Sequence, residues 1–460
     1  MPLIGAFIVP HPPLIVPAIG KGQQKQIQKT IDAYEEVASR IAKLKPETIV
    51  VITPHSVVYS DYFHISPGEH AKGDFRDFGA PDVHIEVNYD NQFVQNILVE
   101  TKREGISAGT RGERNKALDH ATMVPLHFVN QYYREYKLVR ISPSGFSPLI
   151  HYRFGKCIAK AAQKDERVLI IASGDLSHKL KADGPYGLAK EGAAFDREVM
   201  QAMASGDFLR FLTFDENFCE AAAECGLRSF LIMAGALDGK SVTSELLSYE
   251  GPFGVGYAVA AFSIVDQDNS RHFDNILEQT EAARISALKA REDDYVRLAR
   301  QSLEHYVKMH KRILRAEVYS DELINQRAGV FVSLKMEGRL RGCIGTISPT
   351  TACIADEIIQ NAVSAGVEDT RFEPVRTSEL PFITISVDVL GEAEPIASLD
   401  ALNAARYGVI VTSKGRRGLL LPNLEGIDTP EQQVHIALNK AGISPNEHYA
   451  MERFEVVRHT

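Results

Sequence analysis

Tryptophan is absent from this chain of 460 residues, and cysteine is scarce. The five cysteines, at positions 157, 219, 225, 343 and 353, include no Cys-x-x-Cys pair. An odd number of widely spaced thiols does not form a disulfide framework, and it is typical of a reducing compartment. We therefore expect a cytoplasmic protein whose cysteines are reduced.

The chain also lacks an excess of basic residues and long apolar runs. It has 51 Lys and Arg against 60 Asp and Glu, and this acidic balance argues against a nucleic-acid partner. No stretch of about 18 uncharged apolar residues occurs, so we expect no membrane span. The apolar first residues lack a basic segment and are broken by prolines, which favours a strand entering a loop over a signal peptide.

Strand-like and helix-like segments alternate over the first 265 residues. Continuous apolar runs predict buried strands at 3–9, 47–54, 137–142 and 167–173, with two closing strands inside 241–265. Helical periodicity marks 22–44, 187–204 and 219–237. This alternation predicts an α/β domain over residues 1–265 with a mainly parallel or mixed central sheet. Ligands of such sheets collect beyond the carboxyl ends of the strands.

A change of composition marks a second domain. The polar stretch DQDNSRHFDN opens a predicted linker over 266–283, and residues 284–460 follow as a separate domain. Predicted strands at 329–336, 382–390, 407–413 and 417–422 mix there with helices near 350–366 and 430–441. Because these elements do not alternate regularly, we expect an α+β domain.

Four histidines of the first domain share one kind of position. His11, His55 and His178 each follow a predicted strand, and His120 lies in the turn-like segment L-D-H-A-T. Neutral imidazole is a good ligand for Fe, Zn, Cu or Ni. A single loop histidine is usually only solvated or hydrogen-bonded, so the metal hypothesis depends on several of them occurring together.

Glu224 is the candidate carboxylate. It lies among small apolar residues in the predicted helix 219–237, where a carboxylate is costly unless it is paired or coordinated. The alternative is an ordinary helix-surface pair with Arg228, four residues further on. On a helix, Glu224 and Cys225 point about 100° apart, so we do not expect both to bind one ion.

Five motifs in order resemble the LigB-type (class III) extradiol dioxygenase superfamily, including its Memo-like branch: H-P-P, T-P-H, D-H-x-x-x-V-P-L, S-G-D-L-S-H and E-C-G-L-R-S. The resemblance implies that His11, His55 and Glu224 bind Fe²⁺ and that His178 and His120 act as acid and base. Two histidines and a carboxylate leave open positions on non-haem iron for substrate and O₂. The implied activity is that of a metal-dependent oxidoreductase performing extradiol ring cleavage on a small catechol-like or phenolic substrate.

Residues 285–460 resemble the AMMECR family, through L-R-G-C-I-G-T, R-F-E-P-V, Y-G-V-I-V and A-L-N-K-A-G. Cys343 in the first of these motifs is a candidate nucleophile or general acid, and a nearby Arg341 would favour its thiolate. The alternative is a buried strand cysteine between two tightly packed glycines. The missing tryptophans depart from the family pattern, so a pocket built from those rings is not expected.

Two other functions remain open. One is oxygen-independent conversion of a hydroxyarene, with the AMMECR-like domain and Cys343 assisting, because fusions resembling this one are associated with radical SAM proteins. The other is a non-catalytic metal-binding scaffold, against which His120 and His178 argue, since a scaffold needs no acid–base pair. We also expect a homo-oligomer.

Overall fold

The computed structural model describes residues 2–162, 166–315, 320–336, 338–424 and 426–460. The chain divides into two units, residues 1–277 and 278–460. The segment predicted as a linker, 266–283, contains the end of a strand and the start of a helix that runs from Phe273 to Lys289.

The first unit contains ten strands among its described residues: β1 Leu3–Val9, β2 Thr48–Ile52, β3 Phe63–His64, β4 His70–Phe75, β5 Ala80–Asn88, β6 Ala108–Gly109, β7 Lys137–Ile141, β8 Val168–Ser173, β9 Lys240–Glu250 and β10 Tyr257–Gln267. Its helices are α1 Pro17–Gly20, α2 Gln28–Leu44, α3 Asn91–Arg103, α4 His120–Tyr132, α5 Pro148–Ala161, α6 Lys190–Ser205, α7 Phe208–Leu212, α8 Glu216–Ala222 and α9 Leu227–Ala236. Helix α10, Phe273–Lys289, begins in this unit.

A six-stranded sheet with the order β7-β2-β8-β1-β10-β9 forms the centre of this unit. The first four strands are parallel, and β10 and β9 are antiparallel, so the expected α/β class with a mixed sheet is confirmed. In β2, Ile49 and Val51 pack on the face covered by α2 and α4, whereas Val50 and Ile52 pack on the face covered by α3 and α5. Burial of both faces explains why these strands are continuous apolar runs.

The helix predicted over 219–237 is two helices in the structure. Helix α8 ends at Ala222, Ala223 has the left-handed φ of 54°, and α9 starts at Leu227. A Cβ at Gly226 would lie 2.4 Å from the Phe230 ring and 2.9 Å from the Asp175 carbonyl oxygen, so the turn packs tightly on the strand-end loop. The alanine-rich run favours a continuous helix, and tertiary packing overrides this preference.

The second unit is built around two antiparallel sheets. Its helices are α11 Asp294–Met309, α12 Asp321–Asn325, α13 Ile354–Val367 and α14 Pro430–Ala441. Its strands are β11 Val330–Met336, β12 Arg339–Gly345, β13 Ile383–Leu390, β14 Glu394–Ile396, β15 Gly408–Ser413, β16 Arg416–Leu420, β17 Ala450–Phe454 and β18 Val456–His459. The sheet β12-β11-β13-β18 packs against α11 and α13, and the sheet β14-β17-β15-β16 packs against α14. The expected α+β class is confirmed.

Among the described residues, no helix has both the length and the apolar character that a transmembrane segment requires.

Candidate metal centre

Two histidines meet at the carboxyl edge of the parallel strands. His11 follows β1 and His55 follows β2, and β8 lies between these two strands in the sheet. Since parallel strands end at the same edge, the two side chains converge across β8. Their Nε2 atoms lie 3.1 Å apart.

A thiol is the third potential metal donor of this group. The ligand atoms of His11, His55 and Cys225 all lie within 4.8 Å of one another, and the Cys225 Sγ is 3.6 Å from the His11 Nε2. Glu224, the carboxylate chosen from sequence, does not belong to this group. Its Oε2 instead accepts a hydrogen bond of 2.7 Å from the Leu227 backbone N–H at the start of α9.

The break between α8 and α9 explains this difference. On a helix, Glu224 and Cys225 would point about 100° apart, but both residues lie in the turn after Ala223. In this turn the carboxylate caps the following helix, and the neighbouring thiol faces His11. A sequence signal for the turn was present in Gly226, which follows Cys225 directly.

The hydrogen bonds of His11 fix its tautomer. The Ser173 hydroxyl donates its only proton to the Ala121 carbonyl oxygen at 2.7 Å, so it must accept a hydrogen bond from the His11 Nδ1–H at 3.0 Å. The Nε2 of His11 then carries a free lone pair directed at His55 and Cys225. A metal-binding histidine commonly has this arrangement, in which its other ring nitrogen donates to a neighbour.

Asp175 supports His11 as well. Its Oδ1 accepts a hydrogen bond of 2.8 Å from the His11 backbone N–H, and its Oδ2 lies 3.9 Å from the His11 Nε2. The structure thus pairs Asp175 with the loop that follows β1.

The other two predicted histidines lie beside this group. The His120 ring, at the start of α4, is 4.5 Å from the His55 ring and 5.4 Å from the His11 ring between centroids. His178 interacts electrostatically with both His11 and His55, and its buried Nε2 has no hydrogen-bond partner among the described residues. The four histidines picked from sequence thus come together at one edge of the sheet.

Desolvation makes charge unfavourable on every donor of the group, although only His11 is fully buried, Cys225 is half-buried and His55 is exposed. Desolvation lowers the pKa of His11 well below its usual value, and it lowers the pKa of His55 and of His178. Burial and the nearby His55 lower the pKa of His120 to about 4. At neutral pH these imidazoles are therefore neutral, which is the form that binds a metal.

The acidic groups shift in the opposite direction for the same reason. Burial raises the pKa of Asp175 to about 7, that of Glu224 to about 7, and that of the Cys225 thiol well above its ordinary value. A divalent cation would reverse this cost, because it favours deprotonated thiol and carboxylate groups. Converging neutral imidazoles and a half-buried thiol therefore fit a soft or borderline metal ion.

Isosteric variants separate the two candidates for the third ligand. We expect Co²⁺-loaded protein to show thiolate-to-metal charge-transfer absorption that Cys225→Ser removes and Glu224→Gln retains. Cys225→Ser should also weaken Co²⁺ binding by about tenfold or more, because a donor atom is lost. Gln at position 224 still accepts the Leu227 N–H bond, so it is a matched control. No such band in the unmodified protein, together with Co²⁺ binding that Glu224→Gln weakens and Cys225→Ser does not, would assign the carboxylate.

A buried network behind the group holds His55 and His120. Asp119 caps α4 by accepting from the Thr122 backbone N–H at 3.0 Å, and its Oδ1 also accepts from the Thr53 hydroxyl at 2.6 Å. The same hydroxyl accepts from the His55 backbone N–H at 3.3 Å. Asp119 thereby fixes the loop after β2 and the first turn of α4 together.

Arg140 closes this network from β7. Its guanidinium donates to the Ser66 hydroxyl at 2.7 Å and to the Ala117 carbonyl oxygen at 2.9 Å, and it pairs with the carboxylates of Glu113 and Asp119. The side chain is 1% exposed. Sequence reasoning missed these residues, although an arginine inside the apolar strand K-L-V-R-I was a visible signal of a paired buried charge.

Exposed aromatic rings border the histidine group. Phe78, 40% exposed, lies 5.4 Å from the His120 ring, and Tyr186, 57% exposed, lies 5.0 Å from the His178 ring. A cavity of about 910 Å³ is lined by His55, His120 and Phe78 together with residues of β4 and β5. The cavity is large enough to admit a small organic molecule.

Cys343 lies in the second unit, in β12. The thiol is half-buried, and its Sγ is 3.3 Å from the Ser333 hydroxyl. Arg341, which was expected to act on the thiol, pairs instead with Glu379 at 2.7 Å.

The sequence comparisons agree with this architecture. Residues 5–260 match the family described as the catalytic LigB subunit of aromatic ring-opening dioxygenase, and residues 296–459 match the AMMECR1 family. Since the first match covers more than half of the chain, the chain belongs to the LigB family, and an AMMECR1 domain follows. The resemblance found in the motifs is thus confirmed.

Particular relatives match the whole chain or about a third of it. A protein of Clostridium acetobutylicum is 42% identical over 468 residues, covering 100% of this chain and 99% of its own. A protein of Thermotoga maritima is 45% identical over 170 residues, covering 36% of this chain and 98% of its own. A crystal structure of an uncharacterized Pyrococcus horikoshii protein covers 36% of this chain and 88% of its own, with 31% identity and a TM-score of 0.34.

Proposed function

We propose that the first unit is an Fe²⁺-dependent oxidoreductase acting on the ring of a catechol-like or phenolic compound, with extradiol ring cleavage as its reaction type. The observation that carries this proposal is the 3.1 Å approach of the His11 and His55 Nε2 atoms, with a thiol and two further histidines around them. The family description, an aromatic ring-opening dioxygenase, supports the same reaction type.

His11 and His55 would hold the metal, with Cys225 as the third ligand that its position favours. Glu224 stays a prediction from the sequence, and the cobalt spectra described above distinguish the two. When bound, iron would supply Lewis acidity and one-electron chemistry toward O₂. The neutral lone pairs of His11 and His55 suit a divalent ion of this type.

His178 and His120 would handle protons. Burial lowers the pKa of both imidazoles, so both are neutral at pH 7 and able to accept a proton from a phenolic hydroxyl. The unpartnered Nε2 makes His178 the stronger candidate for this base. Asp119, through the cap of α4, would hold His120 in place.

The surrounding rings favour a planar substrate. Phe78 borders His120 and Tyr186 borders His178, so aromatic ring surface is available next to both histidines. Aromatic rings pack well against such surfaces in offset or edge-on arrangements. This chemistry selects an aromatic substrate over an aliphatic one of similar size.

Incubation with and without oxygen tests the reaction type. Protein loaded with Fe²⁺ under anaerobic conditions is mixed with a panel of catechols and hydroquinones, in argon and in air, and product masses are recorded. Extradiol cleavage predicts products that gain two oxygen atoms in air and no product in argon. Product formed equally in argon would replace this reaction by oxygen-independent conversion, and no turnover of any panel member would favour the non-catalytic scaffold.

Replacement of His178 separates proton transfer from metal binding. We expect His178→Gln to keep the metal content of the unmodified protein and to lower turnover by about 10²–10⁴-fold, the usual contribution of a general acid or base. His435→Gln is the control, because His435 is exposed on α14 and lies outside the cavity and the histidine group. Undiminished turnover in His178→Gln would reject the acid–base role.

A radical SAM partner, an assisting role for Cys343, a homo-oligomeric state and a cytoplasmic location remain predictions of the sequence.

A further inference from the structure

The loop that carries His178 is fixed by backbone hydrogen bonds on both sides. Leu176 donates its N–H to the Gly256 carbonyl oxygen at 2.8 Å, and Gly256 donates its own N–H to the Ser177 carbonyl oxygen at 2.8 Å. The His178 N–H donates to the carbonyl oxygen of Ala222, the last residue of α8, at 3.2 Å. Because the loop is held so closely, a displacement of Ser177 must also move His178.

A buried carboxylate lies behind this loop. Asp196, on α6, is 1% exposed, and its Oδ1 accepts a hydrogen bond of 2.8 Å from the Ser177 backbone N–H. Its Oδ2 accepts a hydrogen bond of 2.7 Å from the hydroxyl of Tyr249 on β9. Burial raises the pKa of the Asp196 carboxyl to about 6, and such a group is costly unless its oxygens are hydrogen-bonded. One of its two donors is the residue directly before His178.

The surroundings of Asp196 leave the carboxylate little room to move. A Cβ at Gly256 would lie 2.1 Å from the Asp196 Oδ2, so glycine is required directly before β10. A Cβ at Gly192, one turn earlier on α6, would lie 2.7 Å from the Ser177 hydroxyl oxygen. Positions 192 and 196 share one face of α6, and this face therefore packs directly against Ser177.

Asp196 is separate from the metal donors. Within the described part of the chain its side-chain hydrogen bonds reach Ser177 and Tyr249, and neither residue belongs to the metal-binding group. Loss of the carboxylate should therefore disturb the His178 loop and leave the metal in place.

We propose that Asp196 is a positioning residue for His178, which holds the backbone of the imidazole-bearing loop through the Ser177 N–H and itself contacts neither substrate nor metal. The inference rests on the proposed acid–base role of His178. A general base must lie within hydrogen-bond reach of the proton it accepts, and a misplacement of about 1 Å can cost about 10²-fold in rate. Since the His178 Nε2 has no hydrogen-bond partner among the described residues, the backbone contacts carry more of the task of orienting the ring.

Two substitutions at position 196 separate the hydrogen bonds from the charge. Asp196→Ala removes both acceptor oxygens. Asp196→Asn has the same shape, and it accepts from the Ser177 N–H through Oδ1 while its Nδ2 donates to the Tyr249 hydroxyl oxygen. We expect Asp196→Ala to lower kcat by about 10–100-fold with KM within about threefold, and Asp196→Asn to keep kcat within about threefold. Both variants should bind as much Fe²⁺ as the unmodified chain in anaerobic equilibrium dialysis.

A double variant distinguishes positioning from general support of the fold. If Asp196 acts through His178, Asp196→Ala should lower turnover by less than about threefold in a His178→Gln chain, because residues that act as one unit are not additive. Asp274→Ala is the control, since it removes another buried carboxylate of the same unit, paired with Lys156, and should leave kcat within about twofold. A loss of equal size in both backgrounds, or a loss of bound Fe²⁺ in parallel with turnover, would overturn the proposal.

Tyr249→Phe replaces Asp196→Ala in this test if the alanine variant does not fold. It removes one hydroxyl and leaves the carboxylate bonded to Ser177, so we expect kcat to fall by about three- to tenfold, the size of one hydrogen bond. This loss should again disappear in the His178→Gln chain. An unchanged kcat in Tyr249→Phe would then reject the positioning role.

A measurement without turnover keeps this inference apart from the proposed function. The ring Cε1–H signals of isotope-labelled histidine are recorded by NMR in the metal-free chain, and the His178 signal is identified by its loss in His178→Gln. We expect Asp196→Ala to shift this signal, Asp196→Asn to shift it far less, and the signal of the exposed His435 on α14 to stay in place. If the unmodified chain converts no compound of the panel, the proposed function fails, and an unmoved His178 signal in Asp196→Ala would independently rule out the positioning role.

Discussion

Replacing His11 by alanine is expected to abolish tight metal binding. The variant removes an imidazole whose Nδ1–H is fixed by Ser173 and whose Nε2 faces His55 and Cys225. Since loss of a residue that merely supports a ligand already costs about 10–100-fold in affinity, loss of the ligand itself should cost more than about 100-fold. Equilibrium dialysis against Fe²⁺ under anaerobic conditions, followed by metal analysis, measures the effect.

His84→Ala provides the control for this experiment. His84 is exposed, lines the cavity and lies outside the group of metal donors, so its loss should leave about one metal per chain. Metal bound in equal amount by His11→Ala would place the ion elsewhere. We therefore expect the unmodified chain and His84→Ala to bind the same amount of metal, and His11→Ala to bind far less.

The second large effect is expected from Arg140→Met. This substitution keeps much of the side-chain volume but leaves the carboxylates of Glu113 and Asp119 buried without their cation. Removing one partner of a buried ion pair typically lowers the free energy of unfolding by about 3–5 kcal/mol. Because the chain has two units, hydrogen exchange of peptides that contain β2 and β7 is the appropriate measurement, and both should lose protection.

Arg76→Met is the matched control for the loss of an arginine–carboxylate pair. Arg76 pairs with Asp74 at 2.7 Å, but its side chain is 72% exposed, so the same substitution should change the protection from exchange far less than Arg140→Met does. Arg140→Lys keeps the charge but loses part of the hydrogen-bonding fork, and we expect it to be intermediate. Equal protection in Arg140→Met and Arg76→Met would show that the buried network does not stabilise this end of the sheet.

The strands of the central sheet were readable from sequence because each is buried on both faces. In β2, alternate residues Ile49 and Val50 pack on opposite sides, so the strand had to be apolar throughout. The prediction of a single helix over 219–237 was wrong for a different reason. Its alanine-rich sequence favours a helix locally, whereas in the structure the turn at Gly226 packs closely on Phe230 and Asp175.

The sequence by itself determined the mixed sheet and the position of His11 and His55 directly after two of its buried strands. Those positions follow from local patterns, since an apolar run ends where its polar loop begins. Only the tertiary structure decided that Cys225 faces His11, that Glu224 caps α9 and that Arg140 supports the site from β7. Such contacts join residues distant in the chain, and no short-range pattern encodes which of two neighbouring side chains a turn directs inward.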